Sequence, residues 1–296
     1  MELRAIIKPK ASLADYIDVL KPRETSLLVF IGACAAIIAA STTTAGFPVR
    51  DLIITVIAIL CGSAGANGLT NYLDRDVDAR MKRTCRRSLA AGRIDPPAKA
   101  LPLIMIMIVI SLALAWMLSP VCFFIGLVGM VSSAIWRKTV SCTFLGIIAG
   151  SAPILIGWYA ITKQPVIDIL PVLFFIMIAF WTPLHVWTLM IAHRDDYENA
   201  GLHYFPLSWK DRDVIRLLAV MSLMLAVIGL LIYLLSDRFH LLYLIVSSSL
   251  SLAMVIASIR LLFNPVSQNA WVVYKLSAFP YLGIIFTIMA VDTWLH

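Results

Sequence analysis

The chain has 296 residues, of which 61% are hydrophobic and only 14% are charged, and its mean hydropathy is +0.91. A soluble domain of this length does not need so large an apolar fraction, so the composition excludes a soluble globular protein. It predicts an all-α integral membrane protein with several spans. The formal net charge is +7, and the positions of the basic residues indicate what that charge means.

About nine apolar segments have, or nearly have, the length of about 20 residues that an α-helix needs to cross a bilayer. The fourth is the shortest. They lie near residues 25–45, 52–71, 101–119, 121–136, 141–160, 169–192, 214–235, 240–263 and 273–295. We expect a single membrane domain over residues 1–296, with residues 1–24 as a cytoplasmic N-terminal tail.

Lysine and arginine are distributed unevenly between the two sides of these segments. Of the 24 such residues, 21 lie on the side of the N-terminal tail, and only Arg50, Lys163 and Arg238 lie on the other. Because basic residues collect in cytoplasmic loops, this distribution predicts an N-in, C-out topology in the cytoplasmic membrane. The net charge therefore indicates membrane topology and not a nucleic-acid partner.

Three acidic residues follow directly on the apolar run 52–69, in the stretch 71–78. In a helix, Asn71, Asp74 and Asp78 share one face, because they stand at i, i+3 and i+7; Asp76 points elsewhere. Carboxylates at a membrane boundary are costly, and this face offers the hard oxygen ligands that suit Mg²⁺ bound with phosphate groups. The alternative is an ordinary acidic loop at the membrane interface.

Two long loops on the cytoplasmic side, 74–99 and 193–216, are rich in charged residues. The first continues into a cluster of arginines at 83–87, and the second begins with acidic residues at 195–196. Carboxylates that bind Mg²⁺ and guanidiniums that neutralise phosphate oxygens together suit a diphosphate leaving group. The alternative for the arginines is the general excess of positive charge in cytoplasmic loops.

A histidine lies near membrane depth in the sixth segment, in the stretch 181–187. His185 and Asp196 are eleven residues apart, so in a continuous helix they lie on one face. A pocket with a charged mouth and an aromatic wall bearing His185 follows from this arrangement. The alternative is a histidine that is hydrogen-bonded between two helices.

These motifs resemble those of the UbiA superfamily of intramembrane prenyltransferases. Residues 71–78 match the N-x-x-D-x-x-x-D core of its first aspartate motif, and Met81, Arg83, Thr84 and Arg87 match the usual continuation. Further landmarks resemble the branch of that superfamily that farnesylates heme B, in the same order from about residue 16 to 290. They are Lys21-Pro22-Arg23, 91–94, 150–153 with Gly157-Trp158, 181–185, and 196–201 with Pro206.

The resemblance implies a bundle of helices around a central cavity that opens at the cytoplasmic side. It also implies a Mg²⁺-dependent transfer of farnesyl from farnesyl diphosphate to the 2-vinyl group of heme B, through an allylic cation and with addition of water. A downstream heme A synthase or a terminal-oxidase assembly protein would receive the product. The implied catalytic residues are Asn71, Asp74, Asp78 and Asp196, with Mg²⁺ bound by Asp74, Asp78 and Asp196 through the diphosphate. The implied diphosphate-binding residues are Arg23, Arg83, Lys138 and Arg194, and those tested first for contact with the heme are His185, Trp181 and His193.

Two other functions stay open at this point. The first is the same chemistry on another acceptor, namely 4-hydroxybenzoate, a naphthoate or a glycerolipid. The aromatic-acid branches are associated with a second motif of the D-x-x-x-D type, whereas here Asp196 is followed four residues later by Ala200. The second is a transporter or a non-catalytic heme scaffold, since Gly150, Pro153 and Pro183 interrupt apolar segments.

Overall fold

The computed structural model describes residues 11–41, 47–135, 142–163, 168–203 and 205–295, and every regular element in these ranges is a helix. The all-α prediction is therefore confirmed for them. In chain order the α-helices are α1 (Leu13–Val19), α2 (Pro22–Ala40), α3 (Val49–Asp78), α4 (Leu101–Leu118), α5 (Pro120–Ile135), α6 (Cys142–Thr162), α7 (Ile169–Ala192), α8 (Arg194–Asn199), α9 (Asp211–Leu234), α10 (Leu241–Phe263), α11 (Ser267–Leu276) and α12 (Leu282–Leu295). A 3₁₀ turn, Pro97–Ala100, precedes α4, and a π-helical segment, Ser277–Tyr281, joins α11 to α12.

Eight helical segments within the described part of the chain are long and apolar enough to cross a membrane. They correspond to eight of the nine predicted segments. The segment predicted at 121–136 forms α5, which is apolar but has only 16 residues. The protein is thus a multi-pass membrane protein, while the exact number of spans and the N-in, C-out orientation remain predictions.

The long helices pack as a closed bundle. Helix α2 lies against α3, α6 and α12, whereas α7 lies against α6, α9 and α11. The contact between α2 and α6 depends on glycine: a Cβ atom on Gly157 would stand 2.1 Å from the carbonyl oxygen of Gly32. Since Cβ atoms essentially never come so close to other heavy atoms, a glycine at position 157 lets the two helix backbones touch.

Helix α1 anchors the loop that follows α3. The Asp18 carboxylate accepts hydrogen bonds from the backbone N–H and the hydroxyl of Ser88, both at 2.7 Å. Asp15 forms an ion pair with Arg93 at 2.5 Å. The hydrogen bond from the backbone N–H of Ser12, and then the contact to Arg93, hold the pKa of the Asp15 carboxyl well below its usual range. The basic loop 79–96 is therefore held against α1 at Ser88 and Arg93, and these contacts fix the backbone from which the neighbouring arginine side chains extend.

Candidate active site

Helix α3 continues through the acidic motif to Asp78, so the motif is helical and not an interfacial loop. Asn71 and Asp78 are fully buried, Asp74 is partly buried between them, and the Asp76 side chain is 80% exposed. The predicted geometry is confirmed: Asn71, Asp74 and Asp78 lie on the covered side of the helix and Asp76 is turned to the outside. The Asn71 amide donates to the carbonyl of Val19 at 3.1 Å, and α1 thereby covers the base of this face.

Two basic side chains reach Asp78 and its surroundings. Arg87 forms an ion pair with Asp78 at 2.7 Å. Lys21, which precedes α2 with a left-handed backbone (φ 48°), donates from Nζ to the Thr70 hydroxyl at 3.2 Å. Burial and then the charge of Arg87 lower the pKa of Lys21 to about 8, against the opposing effect of Asp78, Glu24 and Asp74. A non-glycine residue with positive φ at such a place is typical of a functional site.

Asp196 connects the second polar loop to the first. Its carboxylate accepts the backbone N–H of Lys82 at 2.5 Å and that of Arg83 at 3.1 Å. The Arg83 guanidinium lies 3.4 Å from the Tyr197 hydroxyl. The pKa of Tyr197 is raised, mainly by burial and against the opposing effect of Arg83. The two predicted motifs, separated by more than a hundred residues in sequence, are thus parts of one site.

The four predicted diphosphate ligands have different surroundings. Arg83 lies inside the site, and Arg23 is exposed in the first turn of α2, near enough to Tyr274 to act on it electrostatically. Arg194 points away, because its guanidinium bonds to Glu198, to the carbonyl of Leu207 and to Asp211. Lys138 lies outside the described residues.

The predicted Mg²⁺ ligands do not by themselves form a compact metal-binding cluster among the described residues. In the described ranges, no three His, Cys, Asp or Glu side chains converge on one point. The Asn71 Oδ1 atom is nevertheless buried without a hydrogen-bond partner among those residues. An unsatisfied hard oxygen beside Asp74 and Asp78 fits Mg²⁺, an ion that proteins usually bind through one or two carboxylates together with substrate phosphates.

A cavity of about 270 Å³ begins where the polar face of α3 ends. Asn67, one turn before Asn71, and Glu24 line its polar end. Most of the remaining wall is apolar and built from small residues of α3, α5 and α6, namely Gly62, Ala66, Gly126, Gly129, Gly146 and Gly150. Small side chains on three neighbouring helices leave an apolar space next to the charged cluster.

Aromatic rings of α7 and α11 form a continuous row beside this cavity. The ring of His185 stacks on Trp181 with centroids 4.7 Å apart and on Tyr274 with centroids 4.6 Å apart. Tyr274 in turn stacks on Trp271, at 4.9 Å, and His193 meets Trp271 edge to face, at 5.2 Å. Trp181 and His185 line the cavity. Of the three residues predicted to contact heme, these two therefore form one wall.

His193 stands at the charged end of the row. Burial and then the charge of Arg83 lower the pKa of His193, while Asp196 opposes this shift. This shift favours the neutral form of its imidazole. The Nε2 atom is buried without a hydrogen-bond partner among the described residues. His193 thus faces the Arg83–Asp196 part of the site more than the cavity wall.

Sequence reasoning missed several residues of this site. The motifs include Arg87 and Lys21 but predict no role for either, although each is a cation beside the acidic face. Asn67 could have been found, since it continues the spacing of Asn71, Asp74 and Asp78 by one turn. Tyr274 and Ser277 carried no signal, because their role depends on the packing of α11 against α7.

Comparison with known proteins agrees with the family indicated by the sequence motifs. The model of the UbiA prenyltransferase family matches residues 28–280. The chain belongs to the UbiA prenyltransferase family. The resemblance inferred from the motifs is confirmed.

Curated relatives align over nearly the whole chain. The protoheme IX farnesyltransferase of Desulforudis audaxviator (strain MP104C) is 34% identical over 302 residues, which cover 99% of this chain and 93% of the relative. That of Thermoplasma acidophilum is 31% identical over 290 residues, covering 95% and 98%.

Solved structures share the fold at much lower identity. A digeranylgeranylglyceryl phosphate synthase superposes with a TM-score of 0.76 at 15% identity, over 96% of this chain and 99% of that one. A UbiA homologue from Archaeoglobus fulgidus bound to GPP and Mg²⁺ has a TM-score of 0.63 at 14% identity, over 93% and 99%. At these identities the likeness establishes the UbiA fold alone.

Proposed function

We propose that this protein is a protoheme IX farnesyltransferase of the cytoplasmic membrane. It transfers farnesyl from farnesyl diphosphate to the 2-vinyl group of heme B, with Mg²⁺, and forms heme O and diphosphate. The observation that carries the proposal is the joining of both aspartate motifs through Asp196 and the backbone of Lys82 and Arg83. An apolar cavity begins at Asn67, one helical turn before the first motif. Relatives of that name match at 31–34% identity over nearly the full chain.

The charged end of the site suits the diphosphate. Arg83, Arg87 and Lys21 supply positive charge around the acidic face, and Arg23 lies near Tyr274. Fixed cations stabilise the negative charge that develops as the bond between farnesyl C1 and the diphosphate oxygen breaks. Arg194 takes part only if it leaves its bonds to Glu198 and Asp211, so Arg87 and Lys21 replace it in the proposed set.

Asn71, Asp74, Asp78 and Asp196 would hold Mg²⁺ together with the diphosphate. When bound, the ion neutralises phosphate charge as a Lewis acid and so makes diphosphate a better leaving group. The residues themselves orient this end: Asp196 fixes the backbone of Lys82 and Arg83, and Asp78 fixes the guanidinium of Arg87.

The apolar end of the site suits an allylic cation. Small residues leave room for the isoprenoid, and a mostly apolar wall offers water few hydrogen-bond partners, which protects the cation from premature capture by water. The aromatic ring of Trp181, which lines the cavity, stabilises a neighbouring positive charge. The vinyl carbon of the acceptor then attacks farnesyl C1, and water adds to the resulting cation with release of a proton.

The alternatives differ in acceptor or in class. The solved structures share only the fold, at 14–16% identity, so they do not favour 4-hydroxybenzoate, a naphthoate or a glycerolipid. A transporter would not need carboxylates and guanidiniums gathered around the C-terminal end of α3. A downstream heme A synthase or oxidase-assembly protein as recipient of heme O remains part of the proposal.

The deciding experiment incubates the purified protein with heme B, farnesyl diphosphate and Mg²⁺, and resolves the extracted hemes by mass. The proposal requires a hydroxyethylfarnesyl heme whose formation depends on Mg²⁺. Diphosphate release only with another acceptor would retain the chemistry and reject heme. Lack of turnover with all four classes of acceptor would reject the enzyme.

Lys21 should give farnesyl diphosphate binding a characteristic pH dependence. With a pKa of about 8, Lys21 carries its positive charge below that pH and loses it as the pH rises through it. We expect the KM for farnesyl diphosphate to increase between pH 7 and about 9 in the native protein. In Lys21→Arg the KM should stay flat, because a guanidinium keeps its charge. An equal rise in both proteins would exclude Lys21 as its cause.

Replacing His185 by alanine should separate the two substrates. We expect the affinity for heme B to fall by about tenfold or more, because the ring lines the cavity between Trp181 and Tyr274. The affinity for farnesyl diphosphate should stay within about twofold, since the charged end does not include His185. Equilibrium titration of each substrate measures both, and parallel loss of the two affinities would contradict the assignment.

A further inference from the structure

The His185 ring is enclosed on all sides but one. Trp181 and Tyr274 are nearly parallel to it, at interplanar angles of 11° and 28°, and they cover its two faces. The edge that carries Nδ1 meets the Ser277 hydroxyl, with Nδ1 and Oγ 2.9 Å apart. His185 is one of the residues that line the cavity. Since both faces and the Nδ1 edge of the ring are covered, we take the remaining edge, which carries Nε2, to be the one that faces the cavity.

The hydrogen bonds of Ser277 determine which ring nitrogen carries the proton. The Ser277 hydroxyl donates to the backbone carbonyl of Tyr274, with an oxygen–oxygen distance of 2.8 Å. A carbonyl cannot donate, so the single hydroxyl proton is used there. In the short contact to His185, Ser277 Oγ is therefore the acceptor and Nδ1–H is the donor. A neutral imidazole protonated at Nδ1 has its lone pair at Nε2.

We propose that Ser277 is a positioning residue that presents the Nε2 lone pair of His185 to the cavity as a ligand for heme iron. This inference rests on the proposed function and specifies its heme contact. A lone pair can bind a metal ion but cannot donate to a carboxylate, so the contact is made to the iron and not to a propionate. A second hydrogen bond at the far nitrogen is the usual way in which proteins orient a metal-binding histidine.

The break between α11 and α12 makes this arrangement possible. Ser277 begins the π-helical segment, and Ala278 has a non-helical ψ of −139°. Ser277 also fixes the ring of Trp181, because the backbone carbonyl of Ser277 accepts the indole N–H at 2.5 Å. Irregular helical turns of this kind are frequent at functional sites. A Ser277→Ala substitution removes the hydroxyl and leaves this backbone contact in place.

The test is a double-mutant cycle on the full-length protein in detergent, with ferric heme B titrated by its absorption spectrum. We expect Ser277→Ala to weaken heme binding by about 10–100-fold, the usual effect of losing an outer partner of a metal ligand. It should weaken binding no further in the His185→Ala background, because Ser277 acts through His185. Ser249→Ala serves as the control, since that hydroxyl donates within α10, to the carbonyl of Ile245, on the exposed surface.

A second probe separates iron from propionate. Heme dimethyl ester has no carboxylates, so the loss of affinity in His185→Ala should persist with it. If that loss disappears with the ester, the contact is made to a propionate and the inference is wrong. It is also wrong if Ser277→Ala weakens binding equally with and without His185, or leaves heme affinity unchanged while His185→Ala lowers it.

The outcomes for the proposed function are distinct. Formation of hydroxyethylfarnesyl heme by the native protein tests the reaction independently of any ligand. If this product forms while His185→Ala binds heme with the native affinity and spectrum, the ligand is rejected and the function stands. If no heme product forms, the function itself is rejected.

Discussion

Replacing Asp74 by asparagine is expected to lower the rate of prenyl transfer by about 10²–10³-fold, the usual effect of removing one electrostatic group that acts in a transition state. Asp74 stands between Asn71 and Asp78 on the functional face of α3. Its charge is needed twice: it would bind Mg²⁺ through a hard oxygen, and it contributes to the field that keeps Lys21 protonated. Asparagine keeps the size and removes the charge. The measurement is the Mg²⁺-dependent formation of hydroxyethylfarnesyl heme.

The matched control comes from the same turn of helix. Asp76 lies two residues away, its side chain is 80% exposed, and its contact to Arg75 is a loose 3.5 Å. Asp76→Asn removes the same charge from the same segment and should leave the rate within about twofold, because exposed charges interact weakly across water. Similar losses in both variants would show that the motif acts through its total charge and not through one face.

The face of α3 could be predicted because helical periodicity alone places Asn71, Asp74 and Asp78 together and turns Asp76 away. The aromatic wall was predictable in part, since Trp181 and His185 lie one turn apart on α7. Their partner Tyr274 comes from a helix about ninety residues later, and no spacing rule relates the two. Long-range packing is information that a single sequence does not display.

The arginines show most clearly what could not be predicted from the sequence. Arg83, Arg87 and Arg194 all lie in basic loops, and the composition of those loops does not distinguish an arginine of the site from one that only contributes to the positive charge of the loop. The structure distinguishes them by their partners: Arg87 binds the buried Asp78, Arg83 meets Tyr197, and Arg194 is engaged by Glu198 and Asp211. These partners follow from how each loop folds, which the positive-inside pattern leaves undetermined.

The pair of Asp78 and Arg87 should be more important for stability than any other ion pair described. Asp78 is fully buried, and Arg87 is 24% exposed. In Arg87→Met the carboxylate loses this cation, and we expect the free energy of unfolding to fall by about 3 kcal/mol, as is typical when one partner of a buried pair is removed. Arg216→Met is the control: its contact to Asp213 has both side chains about half exposed and should contribute less than about 1 kcal/mol.

The double variant Asp78→Asn/Arg87→Met separates stability from catalysis. Without the buried charge, there is no carboxylate that has lost the Arg87 guanidinium, so most of the lost stability should return. Prenyl transfer should remain at least about 100-fold below the native rate, because both a metal-binding carboxylate and a diphosphate-binding guanidinium are gone. Unfolding in mixed micelles and turnover with heme B measure the two quantities on the same preparations. Recovery of both together would mean that the pair serves the fold alone, and that the diphosphate is held by Lys21 and Arg83 without it.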